Sequence, residues 1–399
     1  MTASTSHQNI RPPRQGFGGL SLSSEGLRAI LWQVLILGIV GIGIWWLVSN
    51  TMANLEARRI ASGFAFLTRE AGLPIGETLI EYAPTDTYAR ALVVGLLNTL
   101  KVALIGIVLA TILGTFIGIA RLSKNWLLAK VASVYVELTR NTPLLLQLFF
   151  WYTLLQGLPA PRQAAKIGES VFLSNRGIKL PALLWHPAYT WVLLAFAGCI
   201  AAAVALTIWN RRRQMATGRR IPIVWANLGL VLGLPLAVWA LLGAPFAVDR
   251  PVLRGFNFQG GTTVTPEFAA LLTGLVFYTA AFIAEIVRAG ILAVPKGQWE
   301  AAQSVGLHNT RVLRLVILPQ ALRVIIPPMT SQYLNITKNS SLAIAIGYSD
   351  IVAVANTIMN QTGQAIEGIA LIMLAYLSVS LSISLFMNWY NRRIALVER

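Results

Sequence analysis

The side chains able to do covalent or metal chemistry are few and scattered. Three histidines, His7, His186 and His308, fall in the N-terminal tail and two polar stretches, with no HExxH or other ligand spacing and no paired acids beside them. The single cysteine, Cys199, sits inside an apolar run, so neither a disulfide framework nor a cysteine metal site is available. None of the seven lysines follows a glycine, whereas a phosphate-cradling Walker A loop needs Gly-Lys followed by Ser or Thr. The chain therefore offers no catalytic constellation, no metal site and no cofactor site, and it does not read as an enzyme. What remains is non-covalent. Glu285 and Arg288, three apart on an apolar helix, are spaced for an ion pair. Lys101, near the outer end of an apolar run, is spaced to snorkel toward headgroups.

Two stretches carry denser polar chemistry. "TSQYLNITKNSSLAIAIG", residues 330–347, holds 8 apolar residues of 18, against 17 of 20 over 190–209, so it cannot face lipid all round. Asn335, Lys338, Asn339, Ser340 and Ser341 are the candidates for lining a solute path or an interface with another membrane subunit.

The other is "WEAAQSVGLHNTRVLRLVILPQALR", residues 299–323, too polar to span and too periodic for a plain loop. A short helix should stop at Gly306, since glycine tolerates the left-handed conformation that commonly closes a helix. Ala301 and Ala302 would leave one of its faces bare. Asn309 should cap a second helix on which Val312, Leu315 and Val316 share a face, and Pro319 should interrupt it. A bent helical pair of this kind suits close approach of another protein, with Glu300 meeting a cation or capping backbone donors, or an interfacial helix resting on headgroups.

The elements around these stretches are membrane spans. At 399 residues, 56% hydrophobic and 12% charged, with mean hydropathy +0.65, the chain is far too apolar for a soluble domain. Seven segments meet or approach the length needed to cross about 30 Å of hydrocarbon: roughly 29–49, 92–119, 143–159, 190–209, 222–243, 265–288 and 366–388. The polar segment 329–347 is an eighth. The first apolar run is not followed by a small-residue cleavage site, so an uncleaved span is expected rather than a signal peptide.

Threading eight spans puts 20 Lys and Arg residues on the side of the termini and 10 on the other, so both termini are expected in the cytoplasm. The run "RRRQMATGRR", 211–220, is the sharpest marker, read as a topology anchor or a lipid or partner site. The net charge of +17 is thus topological: its charges fall in small groups between spans, with no continuous basic face for nucleic acid.

"EAAQSVG", followed after nine residues by "VILP", resembles the EAA loop of permease subunits in bacterial ABC importers. Residues 98–152, 284–307 and 334–347 are similar to the polar amino-acid permeases of the histidine, glutamate, glutamine, arginine and opine group. With its extra spans, the chain looks most like the longer-type permease of general L-amino-acid importers.

The resemblance implies an all-α integral membrane protein with a type I importer core of five spans, one extra N-terminal span and two inserted ones. The expected divisions are a cytoplasmic tail at 1–28, an extra span and external loop at 29–91, the first core part at 92–160, an insertion at 161–264 and the second core part at 265–399. The cytoplasmic EAA loop, 289–325, would couple to an ATPase dimer through Glu300, Ala301, Ala302, Gly306 and Pro319. ATP and magnesium would be held by that ATPase. The other implied partners are a second homologous permease, a periplasmic amino-acid-binding protein and membrane lipid, and the location is the bacterial inner membrane. The competing reading is a secondary transporter driven by an ion gradient, which would usually need unpaired carboxylates at mid-membrane. The only acid well inside a span is Glu285, near one end.

Overall fold

The computed structural model describes residues 24–57, 62–168, 170–218, 221–244 and 246–394. The first part of the N-terminal tail, His7, and Arg219 and Arg220 of the basic run lie outside them. α1 (Ser24–Ala57) belongs to one compact unit, which also takes in Thr362–Gln364; Phe64–Gln361 and the chain from Ala365 on form a second.

That second unit opens with α2 (Tyr88–Ala120), capped by the Thr87 side chain, which accepts from the Arg90 N–H. α3 (Trp126–Asn141) and α4 (Leu144–Gln156) follow, separated at Pro143. Four short strands, β1 (Ala165–Ile167), β2 (Val171–Ser174), β3 (Gly177–Leu180) and β4 (Ala182–Leu183), lead into α5 (Ala188–Thr217). α6 (Val224–Leu228) and α7 (Leu234–Leu241) return, joined by a π turn over Gly229–Gly233. Strands β5 (Val248–Asp249), β6 (Val252–Arg254), β7 (Asn257–Gln259) and β8 (Thr262–Val264) precede α8 (Pro266–Leu292). The chain ends with α9 (Lys296–Ser304), α10 (Asn309–Val312), α11 (Leu318–Asn339), α12 (Ile351–Thr362) and α13 (Ala365–Ile394).

Among the described residues, seven helices are long and apolar enough to cross a membrane. With α4 they make the eight expected segments. α4 has only 13 residues, about 20 Å at 1.5 Å per residue, because Pro143 delays its start and Gly157 ends it. The expected division near residue 329 is not a structural boundary either. Helical structure is continuous over Asn309–Ile346, so the amphipathic stretch and the polar segment are one element.

The core is built on α2 and α8. Gly114 and Gly118, the "GTFIG" pair, lie so close to α8 that an added Cβ would sit 2.7 Å from the carbonyl oxygens of Ala280 and Ala284 respectively. The glycine spacing thus marks a real helix contact. Leu148 of α4, Leu271, Leu275 and Ile283 of α8, Val312, and Ile336 of α11 fill one continuous buried cluster around it.

The connections that flank the two inserted spans, 159–189 and 244–264, contain the strands. β1-β2-β3-β8 form an antiparallel sheet, and β4 pairs with β5 and β6 with β7. Leu180 faces Thr262 and Ala182 faces Asp249 in register, so paired strands close the base of the α5–α7 insertion.

Candidate functional site

Local backbone chemistry shapes the amphipathic stretch. At the end of α9 the Leu307 N–H donates to the Ala302 carbonyl at 3.3 Å and the Gly306 N–H to that of Gln303 at 2.8 Å. This is the paired bonding of a Schellman cap, with Gly306 at φ +80 as its left-handed residue. Leu307 and Trp299 pack on the same buried cluster as Ala302. The expected stop at Gly306 is therefore present.

The next cap differs from expectation. His308, not Asn309, is the N-cap of α10, its side chain accepting from the Thr310 N–H. Asn309 instead accepts from the Gln303 amide at 3.2 Å, tying the two helices together.

Pro319 does not interrupt the helix. It lies in the first turn of α11, just after a π turn over Leu313–Ile317 in which the Leu318 N–H reaches back to the Leu313 carbonyl. The widened turn relieves the clash a proline makes with the carbonyl four residues back. It also shifts the register by one residue. Val312, Ile317 and Ala321 are buried, while Leu315, expected on the apolar face, is 62% exposed.

This register decides which side chains face outward. Glu300 and Ala301 are exposed, and Val305 projects at 80% exposure, whereas Ala302 is buried in the chain's own core with Val312 and Ile317. The alanine pair does not form one bare face: Ala301 is exposed and Ala302 seats α9 on the body. Gln320 bonds Gln298 across the same junction at 3.2 Å.

The polar segment divides as well. Asn335 and Lys338 are exposed, in line with Val324, Pro328 and Ser331 on one face of α11. Asn339 is half-buried at the helix end. Ser340 is buried and donates to the Thr337 carbonyl at 2.7 Å; Ser341 donates to that of Lys338 at 2.8 Å. Both serines bond their own helix, where it tightens to a 3₁₀ helix over Ser340–Ile346, and both also interact with the Tyr376 hydroxyl of α13. Asn335 and Lys338 remain as polar groups on an outward face of an apolar element, which bulk lipid does not tolerate.

Three connections escaped the sequence reading. Lys101 does not snorkel: its ammonium bonds the Glu77 carboxylate at 2.9 Å and stacks over the Phe268 ring at 4.1 Å. Glu77 also accepts from the Thr265 N–H that opens α8, and its carbonyl accepts from Asn98. Glu285 does pair with Arg288, at 3.1 Å, but also with Arg121, and Arg140 stands 3.9 Å away, so one carboxylate joins α2, α3 and α8. Tyr333 of α11 bonds Thr111 of α2 at 3.0 Å.

Near the start of α12, Asp350 is fully buried, accepting from the Ala353 N–H at 2.8 Å and the Tyr376 hydroxyl at 3.4 Å. Burial pushes its carboxyl up to about 6, outweighing those bonds. Among the described residues, no cluster of three or more His, Cys, Asp or Glu side chains could hold a metal ion.

A family model described as the binding-protein-dependent transport system inner membrane component matches residues 106–396. The chain is 52% identical over 373 residues to the general L-amino acid transport system permease protein AapQ of Rhizobium johnstonii, covering 93% of each chain. It is 54% identical over 388 residues to the putative amino-acid ABC transporter permease protein YhdX of Escherichia coli, covering 96% of this chain and 98% of that one. A third relative is the glutamate/glutamine/aspartate/asparagine transport system permease protein BztB of Rhodobacter capsulatus. It is 44% identical over 422 residues, covering 97% and 99%.

Proposed function

The chain belongs to the family of binding-protein-dependent transport system inner membrane components, and from that premise we propose that it moves L-amino acids inward through an ATP-driven importer. It is a multi-pass permease subunit of an amino-acid ABC transporter, and such a permease works with an ATPase and a binding protein. In our reading the ATPase is a cytoplasmic dimer holding ATP and magnesium, the second permease is a homologue of this chain, and the binding protein is periplasmic. Both termini are cytoplasmic, as the 20-to-10 basic asymmetry favours.

The observation that carries the coupling role is the orientation of α9. One face, Glu300, Ala301 and Val305, is exposed, and the other is seated through Ala302, Trp299 and Leu307 on the cluster that includes α11. A partner moving the exposed face therefore moves α11 with it, and α11 carries Asn335 and Lys338 toward its other end. ATP-driven closure of the ATPases would draw the two coupling helices together and open the permeases outward, and hydrolysis would reset them. The ATPase must bind the two states differently for this to work.

The test is reconstitution of the chain with its partner subunits in proteoliposomes. Uptake of labelled L-amino acids should require ATP and the binding protein and survive collapse of ion gradients. Uptake driven by an ion gradient without ATP would overturn the reading in favour of a secondary transporter.

A further inference from the structure

The inserted hairpin carries two adjoining cavities of opposite character. One, about 390 Å³, is lined by polar groups at the end of α5 and the start of α6, including Asn210, Arg211 and Gln214. The other, about 290 Å³, continues along the helix pair between apolar side chains such as Ile200, Val204 and Val231. Thr207, Arg211 and Asn227 line both, so the two are continuous.

The polar cavity holds unmet hydrogen-bonding capacity of both signs. Asn210 is 6% exposed and donates to the Ile221 carbonyl at 2.9 Å; Asn227 donates to the Thr207 hydroxyl at 3.0 Å. Both amides spend an N–H on the protein, and both carbonyl oxygens are covered in the wall without a donor. A buried acceptor in this state is costly. The last torsion of an asparagine is soft, so a donor entering the cavity can draw either oxygen toward it. Arg211 is exposed and, among the described residues, forms no ion pair.

A ligand answering all three features needs an N–H donor for the asparagine oxygens, an anion for Arg211 and a hydrocarbon chain for the apolar cavity. We propose that this groove is a binding site for a phospholipid with a primary-amine headgroup, such as phosphatidylethanolamine. The ammonium donates to Asn210 and Asn227, the phosphate pairs with Arg211, and an acyl chain lies along α5. The site would hold a structural lipid on the inserted spans. It is separate from the groups argued to couple or conduct.

The test uses the full chain purified with its transport partners, exchanged into defined lipids and weighed intact by native mass spectrometry. Phosphatidylethanolamine should be retained about tenfold better than phosphatidylcholine, whose headgroup has no N–H to donate, the scale of one charge-assisted hydrogen bond. Arg211→Glu should cut retention of both lipids about tenfold, since both carry the phosphate it pairs with. Arg213→Glu, an equal charge change two residues on and so on another side of the helix, should leave retention unchanged. Both arginines are exposed, so neither change threatens folding. Free phosphoethanolamine should fail to compete at lipid concentrations. Equal retention of the two lipids, equal effects of the two substitutions, or full competition by the free headgroup would overturn the proposal.

Discussion

The Glu77 carboxylate and the Lys101 ammonium meet at 2.9 Å, joining the segment before α2 to that helix where the Thr265 cap opens α8. The pair is largely buried, at 10% and 25% side-chain exposure, so removing one partner strands the other. Lys101→Met and Glu77→Gln should each lower stability by about 2 kcal/mol, and the double substitution should cost less than their sum. Thermal unfolding of the purified complex measures this; simple additivity of the two losses would show that the contact contributes nothing.

The proposed coupling surface is best probed at Ala301, because Ala302 is occupied in the core. Ala301→Trp should leave membrane level and stability near normal and reduce binding-protein-stimulated ATP hydrolysis at least about tenfold, as bulk at the centre of an interface does. Ala302→Trp should instead destabilise the subunit by about 1–3 kcal/mol through overpacking. Stimulated hydrolysis that survives Ala301→Trp would remove α9 from the ATPase contact.

Gly306 separates backbone from contact effects. A Cβ there meets nothing within 4 Å, so any cost of substitution lies in the φ of +80. Gly306→Val should cost about 1–3 kcal/mol and uncouple transport, whereas Gly306→Asn, which tolerates that region, should retain most uptake. Equal uptake by the two variants would mean that the turn geometry is not what matters.

Along α11, Lys338→Met and Asn335→Leu should each reduce uptake about tenfold at matched levels, the scale of one lost charge-assisted contact. Ser341→Ala, which removes a bond within its own helix and a contact with Tyr376, should have little effect on uptake. If all three variants transported alike, the exposed face of α11 would have no part in the path.

Asp350 gives a pH signature. Its folded value of about 6 lies above the ordinary 3.8, so its contribution is fully present below about pH 4 and lost as pH rises through about 6. Between those limits the wild type should lose about 3 kcal/mol relative to Asp350→Asn as pH is raised. Parallel stability curves for the two proteins between pH 4 and 7 would contradict a carboxyl titrating there.

The parts of this molecule written locally could be read from the sequence. Spans follow from apolar length, the stop at Gly306 from glycine's backbone freedom, and the Glu285–Arg288 pair from helical spacing. The misread parts depend on groups distant along the chain. Nothing near Lys101 announces Glu77, and nothing in 159–189 announces that β3 will pair with a strand on the far side of two spans. The face of α9 departs from its local pattern for a subtler reason. A regular 3.6-residue period puts Leu315 inward, but the π turn before Pro319 shifts that period, and Ala302 closes against the residues so exchanged.

The strand pairing beneath the inserted hairpin makes that insertion a detachable cassette. Leu180 and Thr262 face each other across an antiparallel ladder, so a two-residue turn is enough to join them. The register of that ladder is set by its own strand pairs, while Phe258 of β7 packs against Phe172 of β2 from within the insertion. The extra spans therefore hang from one hairpin tip, where their length and content can change without shifting the pairs on either side.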